Sequence, residues 1–491
     1  MYKILKITAL FLALLGGGFW YMKEYPKIAL QHATIEIDTT KLKNRLKLTP
    51  AFPYKVLQEK NSIQWESLPK FSLPEKFTLV FQGARMANET VPEALLHGFT
   101  HLDASRMRDN DFSTLPIKKR AWLMGANYFN QFGSRFADHG AGGADPFWDT
   151  DEKFKFYLSN LGGLCESHFH DCPPQGYLAT VDIFCWDVEN VWYTPSRQVL
   201  APNSPGFAIP DAQFEQAYKT AMAKKYRMML QDARNSFIKT TRLGSYNPGC
   251  PTEIGNLNPE NYTNIHNVTW LWREPAGADG KNFTDYMDFQ TPGGYFTPDN
   301  VKYNDGMYMI VADQEVNAKW SKIPRIPLQW VFTTPPNSFE VPLAWAEAMP
   351  IFTFLSGAKG AWFWDDMDKM VSNQPTEYNL FRNFSGYHAY ISGLYRLSKH
   401  NALLSQNFEP IIPEVSFDGG KTFQILNAAE LSKKSLPIVR AVVTNNKILL
   451  AAFNPAAKSA QDKVSLVVRR GKWMDVITLR GQQVLLGEAT L

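Results

Sequence analysis

The strongest constraint in this sequence is an alternation. Between about residues 77 and 397, short apolar runs alternate with segments of helical periodicity. Strands joined by helices pair in parallel, and a parallel sheet is covered on both faces. Residues 77–82 and 100–104 read as the first two strands. Residues 120–129 read as a third strand or as helix. Residues 178–189 give the clearest strand, and 237–246 the fifth. Residues 307–312, 328–333 and 360–364 supply the last three. Between them, helices are expected at 92–97, 151–161, 342–356 and 379–397, with Pro350 as a kink. A longer helix opens at Pro210-Asp211, where Phe214, Ala217, Tyr218, Ala221, Met222, Tyr226 and Met229 share one face. Eight strands, each followed by a helix or loop, predict an α/β fold, a (β/α)8 TIM barrel with long insertions.

Beyond about Leu404 the helices stop. Residues 439–443, 448–453, 464–468 and 473–477 are short strands, with turn sites at Asn445-Asn446, Asn454-Pro455 and Arg470-Gly471. This predicts a C-terminal antiparallel β-sandwich over 404–491, following a barrel over 76–403. No carboxylate pair lies in it, so it is expected to support the barrel. Residues 30–75 form an N-terminal extension with no assignable element.

A chain of 491 residues buries a large core, so neither disulfides nor a metal is needed to hold it folded. The 51 basic and 47 acidic residues leave a formal charge of +4, which argues against a broad nucleic-acid-binding surface. Lys3 and Lys6 precede an apolar run over 7–15. That is the pattern of an export signal, and residues 1–22 are read as a signal peptide or signal anchor. The expected location is extracytoplasmic, periplasmic or secreted, with membrane attachment through the N-terminus left open. Cys165 and Cys172 bracket His168 and His170. A disulfide ranks ahead of free thiols and of a metal, because the spacing matches no standard zinc pattern.

In such barrels the active site lies at the C-terminal ends of the strands. Acids fall there after strand four, Asp187 and Glu189, and after strand eight, Asp365 and Asp366. Two residues apart on a strand, Asp187 and Glu189 point to one face, with Cα atoms roughly 6.6 Å apart. Neighbouring carboxylates push one pKa up, and the raised one can serve as a general acid. Glycoside hydrolysis needs such an acid to protonate the leaving oxygen.

Asp182-Ile-Phe-Cys-Trp-Asp-Val-Glu189 resembles the D-x-x-D-x-D-x-E signature of family 18 chitinases and related N-acetylhexosaminidases at three of its four positions. Cys185 stands where the family has its middle Asp. The resemblance implies that Glu189 is the general acid. It implies that Asp187 polarises a substrate acetamido group acting as internal nucleophile, and that Trp362 or Trp364 forms the barrel floor. Tyr286 and Asp288 fall roughly where the family has a strand-six Tyr and Asp.

The expectation is an exported glycoside hydrolase acting on an oligo- or polysaccharide. Glu189 and Asp187 are its catalytic pair. Asp182, Tyr246, Tyr286, Asp288, Trp362, Trp364 and Asp365 are candidate substrate-binding residues. Glu315 is a candidate second carboxylate, read as lying after strand six. No cofactor or metal is called for. Two other readings stand beside it: a non-catalytic carbohydrate-binding protein, which Cys185 favours, and a metal-dependent hydrolase using Asp365, Asp366 and His101 or His139.

Overall fold

The computed structural model describes residues 37, 42–53, 63–82, 91–103, 115–125, 129, 132–136, 144–159, 181–188, 195–236, 240–246, 257–264, 269–273, 277–333, 340–364 and 384–491. After a short strand β1 (Lys47–Leu48), nine strands build the central sheet. They are β2 (Thr78–Phe81), β3 (His101–Asp103), β4 (Arg120–Gly125), β5 (Ile183–Asp187), β6 (Arg242–Tyr246), β7 (Phe289–Thr291), β8 (Gly293–Phe296), β9 (Leu328–Thr333) and β10 (Gly360–Phe363). Their order is β7-β6-β5-β4-β3-β2-β10-β9-β8, and the pairings are parallel.

The two ends of that list, β7 and β8, are neighbours in the chain, divided by Pro292. Proline has no N–H to give a ladder, so one strand is broken in two at this point. The halves still bond to the β9 side: Ile326 N–H donates to Gln290 O (2.9 Å) and Leu328 N–H to Pro292 O (2.9 Å). The sheet therefore closes through residues 289–296 into an eight-position barrel.

Alternation along each strand sorts side chains between two buried layers. Val80, Ala121, Leu123, Ile183, Cys185, Tyr246, Phe289, Leu328 and Trp362 pack together inside the barrel. Leu79, Phe81, Leu102, Trp122, Phe184, Trp186 and Leu243 join the outer layer under the helices. Burial on both faces is why these strands read as continuous apolar runs. A Cβ on Gly244 would lie 2.2 Å from the Phe289 ring, so glycine there lets that ring fill the barrel.

The outer helices include Asp151–Ser159, Asp211–Ser236, Gly306–Trp320, Leu343–Leu355 and Ser385–Ser398. Helix Leu343–Leu355 continues through Pro350. Residues 307–312, expected as a strand, belong to helix Gly306–Trp320. This helix packs on β8, on helix Leu343–Leu355 and on helix Ala428–Lys433 of the following domain. It is buried on nearly every side, so its apolar run carries no periodicity to tell it from a strand. The true sixth strand is the broken one, residues 289–296, which precedes this helix in the chain.

The C-terminal strands are β11 (Glu409–Ile411), β12 (Glu414–Ser416), β13 (Ile438–Val443), β14 (Lys447–Phe453), β15 (Lys463–Arg470), β16 (Trp473–Arg480) and β17 (Leu485–Thr490). They form sheets β1-β17-β14-β13-β11 and β12-β15-β16. Val415, Ala441, Leu450, Leu466, Val468 and Ile477 pack between them. The other face of the larger sheet, with Ile438, Val442, Leu449, Ala451 and Phe453, is continuous with the core of the barrel helices. Buried Arg396 fastens this seam, bonding to Glu347 (2.5 Å), Val484 O (3.0 Å) and Thr49 O (2.9 Å).

Candidate active site at the barrel mouth

Asp187 is the last residue of β5 and is half-buried. Parallel register sets Gly125, the last residue of β4, beside it. Among the described residues, a Cβ built on Gly125 would meet nothing within 4 Å, so none of them fills the space next to the carboxylate. Aromatic rings come from the neighbouring strand ends. Tyr246 closes β6, and its ring lies 6.1 Å from Tyr295. Tyr295 lies 5.5 Å from Trp364, which lies 4.8 Å from Trp330. Tyr295 and Trp364 are partly exposed, while Tyr246 and Trp330 are buried beneath them.

A second acid stands inside the barrel. Asp103, the last residue of β3, is fully buried. Its Oδ2 accepts from the Trp362 indole N–H (2.9 Å) and its Oδ1 from the Leu123 backbone N–H (3.3 Å). Cys185 points into the same interior, and its Sγ is 3.4 Å from Thr291 Oγ1. Burial pushes its thiol far above the ordinary range, and the charges of Asp187 and Asp103 add to the effect. The thiol is therefore neutral at any physiological pH. Asp103 was not among the residues singled out from sequence. Its only signal is an acid at the end of a three-residue strand.

The expected site residues fall into three groups. Asp187, Tyr246, Trp362 and Trp364 come together at the mouth. Glu189 and Asp365 lie outside the described residues, as do Asp366, His139, Cys165 and Cys172. Asp182, Tyr286, Asp288 and Glu315 are elsewhere.

Asp182 precedes β5 and sits at the opposite, N-terminal end of the barrel. It lies five positions before Asp187 along the strand, roughly 16 Å away. There it accepts from Arg242 Nη2 (2.6 Å) and lies 3.0 Å from His101 Nε2, while Arg242 Nη1 donates to Thr78 Oγ1 (2.7 Å). Burial alone would raise Asp182, but the hydrogen bonds from His101 and Arg242 outweigh it and hold the carboxyl below its usual range. Burial holds His101 below its ordinary value against the pull of Asp182. His101 is thus engaged at the end away from the mouth.

Asp288 also lies at the N-terminal end, just before β7, bonded by Arg234 (2.6 Å) and by the Leu243 backbone N–H (2.8 Å). Tyr286 donates to Asp279 (2.5 Å). Glu315 lies in helix Gly306–Trp320, half-buried and bonded to Arg440 of β13 (2.5 Å), Tyr262 Oη (2.8 Å) and the Ala428 N–H (3.1 Å). Its carboxylate ties barrel to sandwich and does not face the mouth. Among the described residues, no three His, Cys, Asp or Glu are grouped to hold a metal ion, and no helix is long and apolar enough to cross a membrane.

No protein-family model matches the chain, and no curated protein matches it. The solved structures to which it is similar include glycoside hydrolases. A bee venom hyaluronidase in complex with a hyaluronic acid tetramer is 15% identical, over 60% of this chain and 92% of that one, with a TM-score of 0.39. A glycoside hydrolase family 30 subfamily 8 xylanase from Clostridium acetobutylicum is 9% identical, over 86% and 97%, with a TM-score of 0.38. A GH42 β-galactosidase is 7% identical, over 85% and 99%, with a TM-score of 0.45. The barrel assignment rests on the strand pairings above and not on these likenesses.

Proposed function

We propose that this chain is a glycoside hydrolase acting on an oligo- or polysaccharide, exported by its first 22 residues. One observation carries the reading: Asp187 stands at the C-terminal end of a barrel strand, beside space that no described residue fills, with Tyr295 and Trp364 partly exposed on the same rim. A carboxylate next to aromatic faces suits a sugar, whose ring stacks while its hydroxyls are bonded. Glu189 follows two residues later in sequence. In the proposed reaction its carboxyl proton goes to the leaving oxygen as the glycosidic bond breaks. On a substrate bearing a 2-acetamido group, the acetamido oxygen forms the new bond to C1, and the Asp187 charge stabilises the resulting oxazolinium. Water then opens that ring and returns a proton to Glu189.

A second reading, a carbohydrate-binding protein without turnover, is favoured by Cys185. A neutral, buried thiol next to Asp187 supplies neither charge nor an exchangeable acid proton. The test is release of reducing ends from a panel of glycans by wild-type and E189Q proteins of equal folded fraction. General-acid help is worth roughly 10²–10⁴ in rate. Loss on that scale supports hydrolysis. Equal turnover by both proteins sinks the role of Glu189, and binding without turnover by the wild type selects the second reading.

A further inference from the structure

We infer that Asp103 is a positioning residue of this mouth: its carboxylate fixes the Trp362 indole, and through it the aromatic wall of Tyr246, Tyr295 and Trp364 on which a sugar would stack. The inference rests on the carbohydrate-site reading for the identity of the ligand.

Asp103 lies wholly inside the barrel, and each of its oxygens receives an N–H, from Trp362 on β10 and from Leu123 on β4. The bond to Trp362 spans the barrel from one strand to a non-neighbouring one, since β2 lies between β3 and β10. It therefore sets the ring's direction where backbone register alone would not. Trp362 in turn belongs to one interior cluster with Tyr246, and Tyr295 and Trp364 pack against that cluster. Trp364 follows it by two residues, on the same inward face.

The chemistry of the donors explains why an acid stands here. An ionised carboxylate accepts at both oxygens. An asparagine would accept one N–H and turn its own NH₂ towards the other donor, leaving two buried donors opposed. A leucine would satisfy neither. D103N is therefore not conservative for this role, although it is nearly isosteric.

Two measurements on the full chain test the inference. The first needs no sugar. With indole ¹⁵N-labelled tryptophan, W362F and W364F identify the Nε1–H resonances of Trp362 and Trp364. D103N is expected to displace both. Displacement of Trp362 alone would overturn the inference, because the wall would then be independent of Asp103. The second measures binding of chito- and xylo-oligosaccharides by D103N in the E189Q background, and KM and kcat in the wild-type background. A disturbed wall raises Kd and KM about tenfold with kcat nearly unchanged, the signature of lost uniform binding. A merely structural role lowers the folded fraction, and hence apparent kcat, at constant KM. That result, or unchanged Kd, would also overturn the inference. Weakened binding in a protein with no turnover at all would uphold Asp103 while rejecting hydrolysis.

Discussion

The two ends of β5 carry the same side chain in opposite circumstances. Asp182, at the N-terminal end, lies between Arg242 and His101 and is held ionised by them. Asp187, at the C-terminal end, borders aromatic rings and space that no described residue fills. One acid is bonded into the N-terminal end of the barrel, and the other stands at the mouth. A strand period of two puts residues 183, 185 and 187 on one face, but it says nothing about which end of the barrel a residue occupies. Membership of one short sequence signature is therefore weak evidence of membership in one site.

Substitutions at the two ends should separate turnover from stability. The largest effect is expected from D187N, a loss of about 10²-fold or more in kcat. Removing a negative charge two residues before Glu189 in the sequence should lower that acid's pKa, so the pH–rate profile should move towards acid. An active D187N with an unmoved profile would remove the mouth from the mechanism. Next, G125L should fill the space beside Asp187 and raise KM roughly tenfold or more, whereas G125A should change stability by less than about 0.5 kcal/mol. Equal KM for both variants would show that sugar does not enter there. At the closed end, R242M should cost about 1–2 kcal/mol in denaturant unfolding, the low side because its side chain is 37% exposed. Turnover per folded molecule should stay at the wild-type level.

The smallest effect concerns pH. His101 is held below its ordinary value of 6.5, so below pH 6.5 the unfolded chain takes up this proton first and stability falls. Asp182 is held below its ordinary 3.8, so its contribution is present above that value and is lost as pH falls through its depressed pKa. Both act in the same direction. H101Q should flatten the fall in melting temperature just below pH 6.5 relative to wild type. His97, His388 and His400 are also lowered by burial, so an acid-induced decline remains.

Most of the barrel is legible in the sequence because strands buried on both faces concentrate apolar residues into short runs. Strand β5 and its Asp187 follow directly from that signal. The sixth strand does not, because Pro292 divides it into pieces of three and four residues, each too short to show a period. Helix Gly306–Trp320 fails for the opposite reason, since burial on nearly every side leaves it no broad solvent-facing polar stripe. Reading it as a strand placed Glu315 at a strand end, when its partner is Arg440 some 125 residues later. Partners so distant leave no local mark, and Asp103 with Trp362, 259 residues apart, is the same case. Nor does the sequence show that β1 completes the sandwich by pairing with β17, because a two-residue strand carries no pattern.

The most direct test sets E189Q against D182N, one variant for each end of the same strand signature. Both are compared with wild type for reducing-end release, at matched folded fraction. If the mouth is the seat of hydrolysis, D182N turns over like wild type per folded molecule and melts lower, while E189Q keeps its melting temperature and loses roughly 10²–10⁴ in rate. A folded D182N as inactive as E189Q, or a fully active E189Q, would contradict the division of the barrel into a closed end and a working end.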